Sequence, residues 1–391
     1  MKGRGLTVAL VLLTLGLRAT PSAQAETISA MTNDLQVLQV KIASGDRGAY
    51  ASQTDHLRAI GTAINAAEPE IWKDKSETDA AVIYLLSGGR TRDIVKLLQS
   101  GAVPESETPL MRGALAYIVG DEAQARTLIG DLDPRTLDLR LAGQIAFAQS
   151  VLTASRDPKK AIASLDLARL LAPGSLVEEA SLRREITLVA SQHDIGRFTM
   201  LCRQYAMRFG RSIYADRFVR GLGGVVLDAE LVDDVPSFQK FHAFVTALTP
   251  AERSYFLLTV ARGQAINGKF EVASAAAGEA LQETPGDSVD EARGKLYEAS
   301  ARILTPDYDP GLAELQSVAE AKLDARDQPL LVAVRGIAAY LRQPVPESPD
   351  GSPPPPAAKD VDDEASSTIA LAEGALSRSV SQGDESGKGT P

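Results

Sequence analysis

Cysteine is almost missing from this chain: Cys202 is the single thiol in 391 residues. A lone cysteine cannot close an internal disulfide, so the fold has to be held by a packed core. Histidine is nearly as scarce. His56, His193 and His242 are scattered, and none lies at metal-ligand spacing from another or from Cys202, which leaves no zinc-type pattern. The apolar run Leu6 to Leu17 is about twelve residues, against the roughly twenty that a membrane-spanning helix needs. An excess of positive charge is also lacking. The chain carries a formal net charge of −10, and loss of Lys2, Arg4 and Arg18 with a leader would bring it to −13. Nucleic acid and an anionic membrane surface are therefore poor partners for the whole protein.

The first residues read as a secretory leader. Lys2 and Arg4 precede the short apolar run, and Pro21 is followed by Ala23-Gln24-Ala25, an A-x-A cleavage pattern. The expectation is a signal peptide over residues 1–25, a mature chain starting at Glu26, and residence in a bacterial periplasm without membrane insertion. No cysteine stands near the cleavage site to take a lipid. At the other end, residues 344–391 are rich in Pro, Ser, Gly and acid, with Pro353 to Pro356 and then Asp360, Asp362, Asp363 and Glu364. Ordering a residue costs roughly 1–2 kcal/mol, and this stretch has little apolar surface to offset it, so a disordered tail is expected. Ile369, Leu371, Ala372 and Leu376 could form one short helix within it.

Between these ends, residues 26–343 read as an all-α domain. Apolar residues recur at three and four, as in Leu35, Leu38 and Ile42, and no alternating strand pattern is bounded by hairpin turns. The turn candidates are Ser87-Gly88-Gly89, Gly120-Asp121, Asp157-Pro158, Asp194-Ile195-Gly196, Asp233-Asp234, Gly268-Lys269 and Tyr308-Asp309. The steps from Gly120 to Asp157 and from Asp157 to Asp194 are both 37 residues, and the later steps to Asp233, Gly268 and Tyr308 are 39, 35 and 40. A period in the middle thirties predicts a helix-turn-helix solenoid.

Two units carry more than the period. Ala261, the turn at Gly268 and Phe270, Ala273, Ala280 and Pro285-Gly286 resemble the tetratricopeptide repeat, and Ala161, Leu165, Ala168 and Pro173-Gly174 keep the same offsets. Small residues there let antiparallel helices approach closely, and the proline ends the unit. The aromatic usual in the middle of the second helix is Ala277 or Leu165, so the repeat is degenerate. One such pair gains about 6–15 kcal/mol per helix from burial, against about 10–20 for ordering its backbone. Stacking between pairs must supply the rest, and the stack offers a face suited to peptide or protein. Tyr84, Tyr117, Phe256 and Tyr297 repeat along the predicted helices as candidates for lining that groove, with a core role as the competing reading.

Signs of chemistry are weak. Gly263 to Lys269 matches the first seven positions of a phosphate-binding loop, but Phe270 stands where a magnesium-binding hydroxyl belongs and no strand precedes it. Gly221-Leu222-Gly223-Gly224 lacks dinucleotide spacing and reads as a flexible break or bend between repeats. Glu178-Glu179 reads as a favourable acidic first helical turn, and neither it nor Asp233-Asp234 forms the converging pair that glycoside hydrolysis needs. Cys202, among Phe198, Leu201 and Tyr205, reads as a buried small apolar residue, with an intermolecular disulfide as the alternative. No cofactor, metal site or catalytic residue is assigned.

Val82 to Gly89 and Ala172 to Glu185 resemble the motility protein MotC of rhizobia and their relatives, as do the leader, the length and the Pro-rich acidic end. The resemblance covers most of Asp34 to Gln343. It implies a non-enzymatic periplasmic protein of chemotaxis and flagellar rotation that binds the periplasmic part of the stator protein MotB. The alternative is a periplasmic scaffold for envelope or polysaccharide assembly. A lytic transglycosylase would need a compact catalytic domain, for which the tail after Pro344 is too short and too polar.

Overall fold

The computed structural model describes residues 27–343, apart from Pro285. The expected leader, the expected tail and the proline stop at Pro285 lie outside the described residues.

Every described element is helical. Helix α1 (Ile28–Ala43) folds back on α2 (Arg47–Ala66), α3 (Lys75–Leu86) on α4 (Thr91–Ser100), α5 (Thr108–Val119) on α6 (Glu122–Ile129), and α7 (Leu139–Thr153) on α8 (Pro158–Leu171). The series continues with α9 (Leu176–Ala190) and α10 (Ile195–Phe209), then α11 (Ala215–Asp228) with two short helices, α12 (Val235–Gln239) and α13 (His242–Val245). It ends with α14 (Pro250–Ile266) and α15 (Phe270–Glu283), α16 (Val289–Arg302) and α17 (Tyr308–Ser317), and α18 (Gln328–Leu341), which has no second helix among the described residues. Consecutive pairs stack, as the solenoid reading requires.

The helices start where polar side chains can satisfy their free N–H groups. Asp46, Asp74, Asp121, Asp157, Asp194 and Asp234 each accept a bond from the first turn of the next helix. Left-handed Gly120 and Gly268 succeed α5 and α14, at φ 83° and 74°, a conformation in which any other residue carries a Cβ penalty. Each of the seven predicted turns falls at the junction between the first and second helices of a unit. Tyr308-Asp309 is displaced, opening α17 and not preceding it, and Phe270, expected in the turn with Gly268, is the first residue of α15. The turn at Gly45 is not among the seven.

The repeat alanines behave as expected. Ala161, Leu165, Ala168, Ala261, Ala273, Ala277 and Ala280 are all fully buried. One apolar core runs from α1 to α7 and includes Trp72, Met111 and Ile145, and a second runs from α9 to α18 and includes Phe198, Phe241 and Leu331. They meet at a seam of small residues. A Cβ added to Gly143 of α7 would lie 2.7 Å from the Ala172 Cβ, so α7 and α8 are in backbone-level contact there.

Gly221 to Gly224 is not a break. It lies inside continuous α11, and a Cβ on Gly223 would come within 2.7 Å of Thr259 on α14. Gly223 serves close packing between α11 and α14, whereas an added Cβ on Gly221 or Gly224 would meet nothing within 4 Å.

Helix α1 does more than pair with α2. Ser29 donates to the Glu77 carboxylate of α3 from its N–H at 3.2 Å and its hydroxyl at 2.8 Å. Gln36 donates to the Arg140 carbonyl at 2.8 Å, and Arg140 donates to Asn33 at 3.1 Å. Beyond its end, Gly45 sits so close to the next layer that an added Cβ would be 2.3 Å from the Arg211 carbonyl oxygen. Tyr50 then meets Tyr214 edge to face, with centroids 6.3 Å apart. A helix of sixteen residues, about 24 Å long, thus braces α3 and α7, while the turn after it and the start of α2 brace the turn after α10, and Ala43 belongs to the second core.

Candidate functional site

The residues that looked most like a binding groove are interior. Tyr84 and Tyr297 are fully buried and Phe256 nearly so, and a side chain without solvent access cannot line a groove. Phe256 packs against Phe241 and Phe244, with centroids 6.3 Å and 5.4 Å away. Tyr117 is half-buried against the first core. The helical spacing of these aromatics reports core packing for three of the four.

The two buried tyrosines do similar jobs. The Tyr84 hydroxyl donates to Asp93 at 2.7 Å and accepts the Arg90 N–H at 3.0 Å. Asp93, itself buried, also accepts from Asn65 at 2.9 Å and from the Arg90 side chain at 3.0 Å. Burial opposes its ionisation, but those bonds outweigh burial and hold the carboxyl below the usual range. At the far end Tyr297 donates to Asp327 at 2.7 Å, and Arg262 and Arg293 each reach the same carboxylate at 3.2 Å. Burial pushes the Tyr297 hydroxyl well above its ordinary value. Each cluster ties a tyrosine in the first helix of a unit to an acid in, or just before, a later helix.

A third cluster joins three helices at the middle of the stack. Glu185 of α9 is fully buried, and it receives Arg169 of α8 at 2.7 Å and Arg197 of α10 at 2.6 Å. Burial pushes its carboxyl up, against the pull of both guanidinium groups. Glu178 and Glu179 stand in the first turn of α9, as expected, and both are interior. Glu178 accepts from the Gly174 N–H and from Arg208, both at 2.6 Å, and Glu179 accepts the Tyr205 hydroxyl at 3.0 Å. Sequence reasoning missed Glu185 altogether. A lone glutamate on a helix looks solvated, and only its packing against two arginines from other helices marks it as buried.

These acids are occupied by fixed cations and hydroxyls, so they act as latches between layers. The three histidines are exposed and separate, and among the described residues no group of three or more His, Cys, Asp or Glu is placed to hold a metal ion. The phosphate-loop fragment is the end of α14 and its turn, where Gln264 donates to the buried Val232 carbonyl at 2.8 Å. Its backbone belongs to a helix and forms no cradle. Cys202 is completely buried beside Phe198, Leu201 and Tyr205. Burial raises its thiol well above the ordinary value, so a partner's cysteine has no access to it.

The accessible apolar surface lies elsewhere. Met200 and Met207 stand 58% and 70% exposed, two turns apart on α10, and Leu170 of α8 is 76% exposed. Leu170 is next to Arg169, whose guanidinium bonds Gln204 between those methionines at 2.7 Å. No described helix is long and apolar enough to cross a membrane.

A stack of helix pairs around buried cores, latched by internal ion pairs and with a few apolar side chains on outer faces, defines a helical-repeat protein. Residues 2–387 match the family described as chemotaxis protein MotC. The chain is also 26% identical, over 347 residues, to the chemotaxis protein MotC of Rhizobium meliloti (strain 1021), a match covering 88% of this chain and 79% of that one. No solved structure matches it. The chain belongs to the MotC family of chemotaxis proteins.

Proposed function

We propose that this protein is a non-enzymatic periplasmic component required for flagellar rotation, and that it binds and supports the periplasmic part of the stator protein MotB. The observation that carries the reading is the family match along almost the whole chain, from residue 2 to residue 387, to a chemotaxis protein. The leader pattern at Ala23-Gln24-Ala25 supports the compartment. The braced stack supports the mechanical role. A rigid array can present the roughly 800 Å² per partner that a specific contact uses and can hold that partner without yielding.

The test is deletion of the gene in the organism that carries it, followed by soft-agar swimming and electron microscopy of the cell surface. Assembled but paralysed flagella, restored by the wild-type copy, are the expected outcome. Swimming at full speed, or loss of the filaments themselves, would reject the proposal. Binding is read separately, by whether the purified protein retains the purified periplasmic part of MotB.

A further inference from the structure

Helix α18 is the one long first-position helix of the stack with no second helix packed against it among the described residues. Its inner side is anchored: Leu331, Val334 and Ala338 are buried, and the Tyr308 hydroxyl of α17 donates to the Ala338 carbonyl at 2.9 Å. Its outer side is apolar in a place where the end of a repeat array ordinarily turns polar. Val332, Tyr340 and Leu341 are 68%, 60% and 50% exposed. Between α17 and α18 lies an open groove of about 380 Å³, lined by Leu312, Leu315, Ala338 and Ala339 and edged by Arg335 and Arg342. Arg335 is already bonded to Glu320 at 2.7 Å, whereas no ion pair involves Arg342 among the described residues.

The chain continues directly from this helix for the 48 residues 344–391, which lie outside the described residues. They hold nine carboxylates against Lys359, Arg378 and Lys388. Their principal apolar stretch places Ile369, Ala372, Leu376 and Val380 at steps of three, four and four, a single helical face. Ser366, Ser367 and Thr368 supply a capping residue before it, and Asp360, Asp362, Asp363 and Glu364 precede them. The 22 residues between Gln343 and Ser366 span up to about 70 Å when extended, more than the length of α18.

We propose that residues 366–380 dock in cis on the α17–α18 groove as the missing second helix of the last unit, with the acidic run beside Arg342 and Arg335. The segment then caps the array and covers the side chains through which its end would otherwise stick to other chains. This docking holds whatever partner the stack binds.

The test compares the full mature chain with its Ile369→Asp/Leu376→Asp variant by hydrogen exchange, with sedimentation run on both. The substitutions lie outside the described helical body, so the stack itself stays folded and the comparison reads the tail alone. The expected result is two monomers, with the amides of α18 exchanging about ten-fold faster or more in the variant and those of α7 to α10 unchanged. An Arg342→Glu variant should shift in the same direction by a smaller factor. Equal exchange in both chains would overturn the proposal. So would a wild-type dimer that persists in the variant with α18 still protected, since the groove would then belong to a second copy.

Discussion

Single side chains in this protein hold layers together, and Tyr84 shows how. Its hydroxyl is a donor to buried Asp93 and an acceptor for the Arg90 backbone, so Tyr84→Phe leaves polar groups short of partners without opening a cavity. The expected loss is about 1–3 kcal/mol, read from the urea midpoint at unchanged slope. No loss of stability, with loss of partner binding instead, would return this residue to the groove. Glu314 is the residue to test with pH. Burial, with Glu298 close by, pushes its carboxyl up to about 7 from 4.5, and it shares Arg302 with Glu298. Between those values the folded chain keeps a proton that the unfolded chain has released. Stability therefore falls as pH rises from about 4.5 to about 7 and is level above that. Glu314→Gln cannot titrate, so the wild-type melting temperature should drop relative to the variant between pH 5 and pH 8. A constant difference across that range would refute the raised carboxyl. Sequence alone identified Cys202 as interior because its neighbours at helical spacing are apolar. It could not identify Glu185, whose two arginines come from other helices.

Helices and their turns were the most legible scale. Aspartates before apolar periodic stretches mark helix starts, glycines and prolines mark stops, and these signals act within a few residues of themselves. Contact between helices depends on which small residue faces which neighbour, and there the sequence misled. The Gly221–Gly224 run looks like a hinge, yet Gly223 is where α11 meets α14. The seam between the two cores makes the same point at Gly143. Gly143→Val should cost about 1–3 kcal/mol through overpacking against Ala172 and the Ala168 carbonyl. Gly278→Ala on α15, where an added Cβ meets nothing within 4 Å, should stabilise by about 0.4–1 kcal/mol. Thermal melts of the two variants check both signs, and equal effects would mean that the seam is loose.

At the scale of the whole molecule, α1 decides how the array behaves. A plain solenoid couples only neighbouring units, and long arrays lose cooperativity between distant parts. Here Gln36 and Asn33 of α1 reach Arg140, and Gly45 in the following turn and Tyr50 of α2 reach Arg211 and Tyr214, so α1, its turn and the start of α2 together tie the first core to the second. Gly45 has φ 101°, and any side chain there meets both backbone strain and the Arg211 carbonyl. Gly45→Ala should therefore detach the brace and split one unfolding transition into two, visible as separate melts of Trp72 fluorescence and far-UV circular dichroism. A single transition at a lower midpoint would mean that the α7–α8 seam alone joins the halves. The sequence by itself determined that the chain is helical, that helices pair at intervals in the thirties, and that repeat alanines face inward, because each of those arises from residues close together in the chain. Which acids are buried, which aromatics are core, and where the first helix lies were decided only by the tertiary structure. Those outcomes depend on contacts between residues separated by anything from about ten to more than a hundred and fifty positions, and no local pattern encodes them.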